Sequence, residues 1–146
     1  MELIIKKFDE LSADELYEIL RARSDVFVVE QDCVYQDLDG KDKAAYHLWY
    51  RDEDGIAAYI RVLPHGVSFS DCSIGRVISL RRREGLASSL MAEGIRTAQE
   101  KFGAESIRIE AQSYAQKFYE YCGFRRISEG EFDVDGIPHV LMLWEK

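Results

Sequence analysis

The chain has 146 residues and a formal net charge of −8, with 47% apolar and 32% charged residues. This length suits one domain with a single buried core, and the acidic balance argues against general binding to nucleic acid or anionic membranes. No apolar run reaches the roughly 18 residues of a membrane helix, and the N-terminus lacks the pattern of a signal peptide. Three scattered cysteines, Cys33, Cys72 and Cys122, show no metal-ligand spacing. We therefore expect a cytoplasmic protein with reduced thiols and no metal.

The N-terminal part predicts a short strand and then a helix from Ala13 to Arg23. Ser12 is placed to cap this helix, and Glu15, three residues later, completes a capping box. Residues 24–42 follow as a short apolar piece, helical or extended, and a long polar loop. Loops of this length are often functional in compact domains, although a solvated surface connection is the alternative.

The remaining segments alternate between strands and helices. Strands are predicted over residues 44–51, 56–63, 72–79, 105–111, 124–132 and 138–144, and helices over 86–101 and 114–122. Hairpin turns are expected at residues 52–55 and 133–136, where acidic residues precede a glycine. This order predicts an α+β fold, a central mixed β-sheet flanked by helices, in a single domain of residues 1–146.

The turn between the strand 72–79 and the helix 86–101 is a candidate anion site. Arg81, Arg82 and Arg83 stand there against an acidic background, and Gly85 precedes the helix. The first amides of a helix have no internal partner and carry the positive end of its dipole. The nucleotide P-loop pattern G-x-x-x-x-G-K-[ST] and the dinucleotide pattern G-x-G-x-x-G are both absent from the sequence. The anion is therefore expected to be of another kind.

Two short motifs in this order resemble the GCN5-related N-acetyltransferase (GNAT) family. Residues 82–87 (RREGLA) fit its R/Q-x-x-G-x-G/A pyrophosphate turn, and residues 115–124 (AQKFYEYCGF) resemble its second signature. Residues 21–40 and 135–139 are similar to the ElaA-like branch of this family. The resemblance covers nearly the whole chain, with Ala87 where many members have glycine and Gln112 where an asparagine is common.

The resemblance implies acetyl-CoA as the co-substrate. Its binding residues would come from the end of the strand and from the turn: Val77, Ile78, Ser79, Arg82, Arg83, Glu84, Gly85, Leu86, Ala87 and Ser88. Gly85 would let the backbone approach a phosphate closely, and the two arginines would add charge-assisted contacts. The backbone of the preceding strand would pair with the pantetheine amides.

The resemblance also implies direct attack of an amine on the thioester. Tyr119 matches the family position near the sulfur, where a phenol can donate a proton to the departing thiolate. The alternative for Tyr119 is simple packing in the core. Because an amine is mostly protonated near neutral pH, a base is required. Glu30, Glu110 and His139 are the candidates, and Glu110 is preferred because it alternates outward from Ile109 on its strand.

The acceptor is expected to be a small-molecule amine bound by Glu30, Gln31 and His139, with Arg23 either binding substrate or stabilising the loop. Inert packing is preferred for Cys122, which has no histidine partner in sequence. No nucleic-acid or membrane partner is expected, and a homodimer is left open. Two other functions stay open: a CoA-binding module without turnover, and acyl-homoserine-lactone synthesis.

Overall fold

The computed structural model describes residues 1–80 and 85–146, so the predicted cofactor residues Arg82, Arg83 and Glu84 lie outside the described residues. The strands are β1 (Glu2–Lys7), β2 (Tyr46–Asp52), β3 (Gly55–Leu63), β4 (Ser73–Ser79), β5 (Ser106–Gln112), β6 (Arg125–Arg126), β7 (Phe132–Val134) and β8 (Ile137–Glu145). The α-helices are α1 (Ala13–Arg23), α2 (Leu86–Phe102) and α3 (Gln116–Tyr121). No helix described within these two ranges is long and apolar enough to cross a membrane.

Helix α1 begins where its local sequence predicts. The Glu15 amide donates to Ser12 Oγ at 3.0 Å, and the Ser12 amide donates to Glu15 Oε1 at 2.9 Å, which closes the capping box. The helix then continues as a π-helix over Ser24–Glu30. The amide of Gln31 donates to the carbonyl of Val26 at 3.1 Å, five residues back, as in a π-helical turn. The apolar piece left open by the sequence is therefore helical.

The sheet is built from two halves that meet at one point. In the first half β1, β2, β3 and β4 pair in that order, all antiparallel, and in the second half β8 lies between β5 and β6 and also pairs with β7. A parallel bridge between Cys72 and Ile107 joins the halves, and the Arg108 amide donates to the Cys72 carbonyl at 2.9 Å. Together with the helices on both faces, this arrangement confirms the predicted α+β fold with a mixed sheet.

A helix covers each face of the first half-sheet. Helix α2 packs against β3 with Leu90, Met91 and Ala98, which belong to the larger buried cluster of the domain. Gly94 of this helix permits the close approach, since a Cβ there would lie 2.5 Å from Ile60 Cδ1. Helix α1 covers the opposite face, where its smaller cluster consists of Ile19, Ala22, Trp49, Ile56, Tyr59 and Ile78.

The strand predicted over residues 124–132 is wrong as a single element. Only β6 and β7 pair with β8 there, and the chain between them leaves the ladder. The reason is local: the amide of Leu141 in β8 donates to the hydroxyl of Ser128 at 3.0 Å, in place of a backbone carbonyl. Because a side chain replaces the ladder bond, pairing stops after Ile127, whose amide still donates to the Leu141 carbonyl at 2.9 Å.

Candidate active site

A cleft of about 920 Å³ opens where the two half-sheets separate. Beyond the single bridge at Cys72 and Ile107, β4 and β5 are not paired within the described part of the chain. The whole of β4 and the C-terminal end of β5 line the cleft, together with the end of the π-helix, the start of α3 and the N-terminal end of β8. Splayed parallel strands thus provide a slot whose walls carry free main-chain groups.

The β4 side of the cleft contains most of the described residues predicted to bind the donor. Val77, Ile78 and Ser79 line it, as does Ala87 in the first turn of α2. Gly85 is the N-cap of α2 at φ +80°, a conformation that favours glycine, and among the described residues no atom lies within 4 Å of the position of a Cβ. Gly85 has no side chain to cap the helix, and the first amides of a helix have no partner within it, which is the basis of the predicted anion site.

Two of the predicted donor residues have other contacts. Leu86 packs against the larger buried cluster, and the hydroxyl of Ser88 donates to the carbonyl of Gly85 at 3.1 Å. Neither side chain lines the cleft. Any part that these two residues take in anion binding is therefore limited to their main-chain amides.

Tyr119 lies on α3 at the wall of the cleft. Its ring packs edge-on against Phe118 and Phe124, with centroids 5.1 Å and 6.1 Å away. None of the residues that the structure describes hydrogen-bonds to its hydroxyl, and burial raises the pKa of this phenol above its ordinary value. Tyr119 is therefore both packed and neutral, and its O–H is free to donate to a group in the cleft.

The opposite wall carries the predicted acceptor and base residues. Glu30 and Gln31 come from the end of the π-helix, and Glu110 comes from β5. The Gln112 side chain, two residues further along β5, donates from Nε2 to Gln31 Oε1 at 3.4 Å. This contact ties the π-helix to β5, and Glu30, Gln31 and Glu110 line the same cleft.

His139 completes this wall from β8, where it lies directly opposite Gln112 in the ladder. Its Nδ1 lies 2.7 Å from the carbonyl oxygen of Ile137, and its ring stacks on Phe132 with centroids 6.2 Å apart. A carbonyl only accepts, so Nδ1 must carry the proton. In the neutral ring Nε2 is then the atom with the free lone pair, which is the form that a base requires.

Comparison with known proteins agrees with this geometry. The family model described as an acetyltransferase (GNAT) domain matches residues 9–146. The chain belongs to the GNAT family. It is 36% identical to the protein ElaA of Escherichia coli over 93% of this chain and 91% of that protein, and 36% identical to a UPF0039 protein of Schizosaccharomyces pombe over 99% and 97%.

Solved structures show the same relationship. The crystal structure of Escherichia coli ElaA superposes with a TM-score of 0.90 at 34% identity, covering 99% of both chains. An acyl-CoA N-acyltransferase from Pseudomonas aeruginosa superposes with a TM-score of 0.90 at 32% identity, again over 99% of both chains. The resemblance to the ElaA-like branch is therefore confirmed, and family and fold together support an acyltransferase.

Sequence reasoning missed an ion-pair network on the β4 side of this GNAT domain. Three guanidinium groups and three carboxylates form it: Arg23, Arg61, Arg76, Asp37, Asp39 and Asp42. Arg23 is fully buried and donates from Nε to Asp37 Oδ2 at 3.1 Å and from Nη1 to Asp42 Oδ1 at 2.6 Å. Of the two roles that the sequence left open for Arg23, the structure shows that it stabilises the loop.

The same network fixes the acidic loop, residues 32–42, to the sheet. Arg61 of β3 donates to Asp39 Oδ2 at 2.8 Å and to Asp42 Oδ1 at 3.0 Å. Burial alone would raise the pKa values of these two carboxyls, but the arginine contacts outweigh it and hold both below the ordinary value. The sequence indicates this network only through the spacing of three aspartates at positions 37, 39 and 42. An exposed polar loop would show the same spacing.

Cys122 gives no support to a covalent mechanism. Burial raises the pKa of this thiol to about 11, so little thiolate is present near neutral pH. Cys122 therefore behaves as a packed apolar side chain, as the sequence analysis preferred.

Proposed function

We propose that this protein transfers the acetyl group of acetyl-CoA to the amine of a small-molecule acceptor by direct attack. One observation carries the proposal: a single cleft is lined by Ala87 in the first turn of α2 and by the whole of β4, with Tyr119 on one side and Glu110 and His139 on the other. Family membership supports the acyltransferase part of this proposal.

The donor would lie along β4 with its diphosphate at the start of α2. Gly85 leaves the main chain accessible there, and Arg82 and Arg83 would supply the charge that several phosphate oxygens require. Val77, Ile78 and Ser79 lie on the strand edge that faces the cleft and would pair with the amides of the pantetheine arm. This orientation directs the thioester towards Tyr119.

The chemistry needs two proton movements. The lone pair of the amine attacks the thioester carbonyl carbon, a C–N bond forms, and the C–S bond then breaks to release CoA as a thiolate. Once the ammonium form has lost a proton to solvent, the neutral amine gives up its second proton to a base on the acceptor wall as the amide forms, and the thiolate gains one from the hydroxyl of Tyr119, which solvent reprotonates. The neutral phenol of Tyr119 at the wall of the cleft carries the proton that the second step needs.

Glu110 is the proposed base, acting directly or through one water molecule. Its carboxylate lies on the cleft side of β5, and its exposed position allows the proton to pass on to solvent. His139 is the alternative, because its Nδ1–H is fixed by the carbonyl of Ile137 and its Nε2 lone pair is available. Glu30 and Gln31 would then orient the acceptor amine.

The test has a binding part and a turnover part. Acetyl-CoA and CoA should each raise the melting temperature, since saturation at about 100 times Kd adds about 2.7 kcal/mol to the free energy of unfolding. The double variant Arg82→Ala/Arg83→Ala should lose most of this shift. Arg125→Ala, at an exposed arginine outside the cleft, is the control. No stabilisation by either compound at millimolar concentration would refute the donor assignment.

Turnover is then followed as CoA release across a panel of primary amines and polyamines. Transfer to one or more amines supports the enzyme. Binding of acetyl-CoA without transfer to any of them would favour the CoA-binding module instead, because the same cleft would then hold the donor without reaction.

A further inference from the structure

Strand β4 contains a bulge at the middle of the cleft wall. Its register against β3 pairs Ile78 with Tyr59 and Gly75 with Arg61, so that Ile60 alone lies opposite both Arg76 and Val77. A bulge of this kind removes a local pair of ladder hydrogen bonds and bends the strand. Main-chain groups of β4 are thereby released from β3 beside the position proposed for the thioester.

The bulge depends on an unusual conformation of Arg76. This residue has φ +52°, in the left-handed region that residues with a Cβ adopt rarely. Gly75 precedes it and is not among the glycines with positive φ, so the strand does not use the glycine that would adopt this conformation without strain. Such a conformation persists only where the surroundings hold it.

The surroundings that hold Arg76 are carboxylates of the acidic loop. Its Nε donates to Asp37 Oδ1 at 2.8 Å and its Nη2 donates to the Asp37 carbonyl at 3.1 Å, while Asp39 Oδ2 lies 3.3 Å from Nη2. The guanidinium also lies over the ring of Tyr35, 5.6 Å from its centroid. Three hydrogen bonds and a ring contact thus fix both ends of the side chain relative to the strand.

Asp37 is itself held rigidly. Its side chain is 5% exposed and also accepts from Arg23 Nε at 3.1 Å and from the Tyr35 hydroxyl at 2.8 Å. An anchor with this many partners cannot follow a relaxing strand without breaking buried contacts. The contacts of Arg76 with Asp37, here called the clamp, therefore fix the bulge of β4 to the loop of residues 32–42.

We propose that Arg76 is a positioning residue for the donor: its clamp by Asp37 holds the β4 bulge in the shape that receives the acyl thioester. The inference rests on the proposed function, since it takes acetyl-CoA as the ligand of β4. It concerns only the acetyl end of that ligand. Contacts of CoA with the start of α2 and with Ile78 and Ser79 do not depend on the clamp.

Two substitutions at one position separate the backbone effect from loss of the side chain. Arg76→Ala removes the clamp and keeps a Cβ, so the bulge should relax. Arg76→Gly removes the same contacts but adopts positive φ without strain. Because Arg76 is partly exposed and the pairing of Asp37 with Arg23 remains, both variants should fold, which circular dichroism checks.

The measurement is calorimetric titration of each variant with acetyl-CoA and, separately, with CoA. For Arg76→Ala we expect Kd for acetyl-CoA to rise about three- to tenfold, the equivalent of one lost hydrogen bond, with Kd for CoA within about twofold of the wild type. For Arg76→Gly both constants should stay within about twofold of the wild type.

The outcomes are distinguishable. Equal losses for acetyl-CoA and CoA, equal behaviour of the alanine and glycine variants, or no change in either would overturn the positioning role, since an anchor of the loop alone predicts no difference between alanine and glycine. Failure of the wild-type protein to bind either compound would instead overturn the proposed function on which the inference rests.

Discussion

Arg23→Met tests whether the ion-pair network is a structural requirement of this domain. The Arg23 side chain is 0% exposed, and in addition to its contacts with the Asp37 and Asp42 carboxylates it donates from Nη2 to the Asp37 carbonyl at 3.1 Å. Methionine fills much of the space but leaves three carboxylates, of which Asp37 and Asp42 are buried, facing two guanidinium groups. Removing one partner of a buried pair costs about 3–5 kcal/mol. We expect about 3 kcal/mol, because Asp37 keeps Arg76 and Asp42 keeps Arg61.

Urea unfolding followed by circular dichroism measures this cost. With an m-value of about 2 kcal/mol/M, a loss of about 3 kcal/mol lowers the urea midpoint by about 1.5 M. Arg125→Met is the matched control, because Arg125 and Glu145 form an exposed pair with side chains 63% and 57% exposed. That control should change the free energy of unfolding by less than about 0.5 kcal/mol. A cost below about 1 kcal/mol for Arg23→Met would show that the network is dispensable.

Three further predictions concern the proposed chemistry and the carboxylates. Tyr119→Phe should lower turnover about 100-fold, as expected for loss of a general acid. Kd for acetyl-CoA and the urea midpoint should not change, because the hydroxyl has no partner among the described residues. Unchanged turnover would remove Tyr119 from the mechanism. Glu110→Gln should lower kcat at least about 100-fold, as expected for loss of a general base, whereas a loss of this size in His139→Gln alone would assign the base to His139. Because the pKa values of Asp39 and Asp42 are lowered in the folded state, their contribution to stability is present above about pH 4 and is lost as pH falls further. The urea midpoint should therefore fall below about pH 4 and fall less in Asp39→Asn, and an identical slope in this variant would contradict the assignment.

Elements with local signals were predictable from the sequence. Helix α1 begins where the sequence predicts because the capping box of Ser12 and Glu15 involves residues three positions apart. The strand β4 and the helix α2 on either side of the predicted anion site follow from the hydrophobic period and a glycine, and the second signature added Tyr119. Val77, Ile78, Ser79, Ala87 and Tyr119 line one cleft, while their roles in binding and catalysis stay predictions.

The network and the bulge were not predictable in the same way. Asp37 contacts Arg76 across 39 positions of sequence, and an isolated aspartate in a polar segment is far more often solvated than buried. The bulge was also unpredictable because the sequence favours a positive φ at Gly75. In the structure Arg76 has the positive φ instead, held by its ion pairs. Both features arise from contacts between distant segments.

The clamp also links the two substrates of the proposed reaction. Asp37 belongs to the segment that follows Gln31 of the proposed acceptor wall, and its partner Arg76 belongs to β4, the strand along which we propose that the donor binds. A displacement of this loop must therefore act on the β4 bulge, since the carboxylate that holds Arg76 moves with the loop. Substitutions at Asp37 should for this reason change acceptor KM and acetyl-CoA affinity together, whereas Glu110→Gln, on the separate strand β5, should change kcat without changing acetyl-CoA affinity.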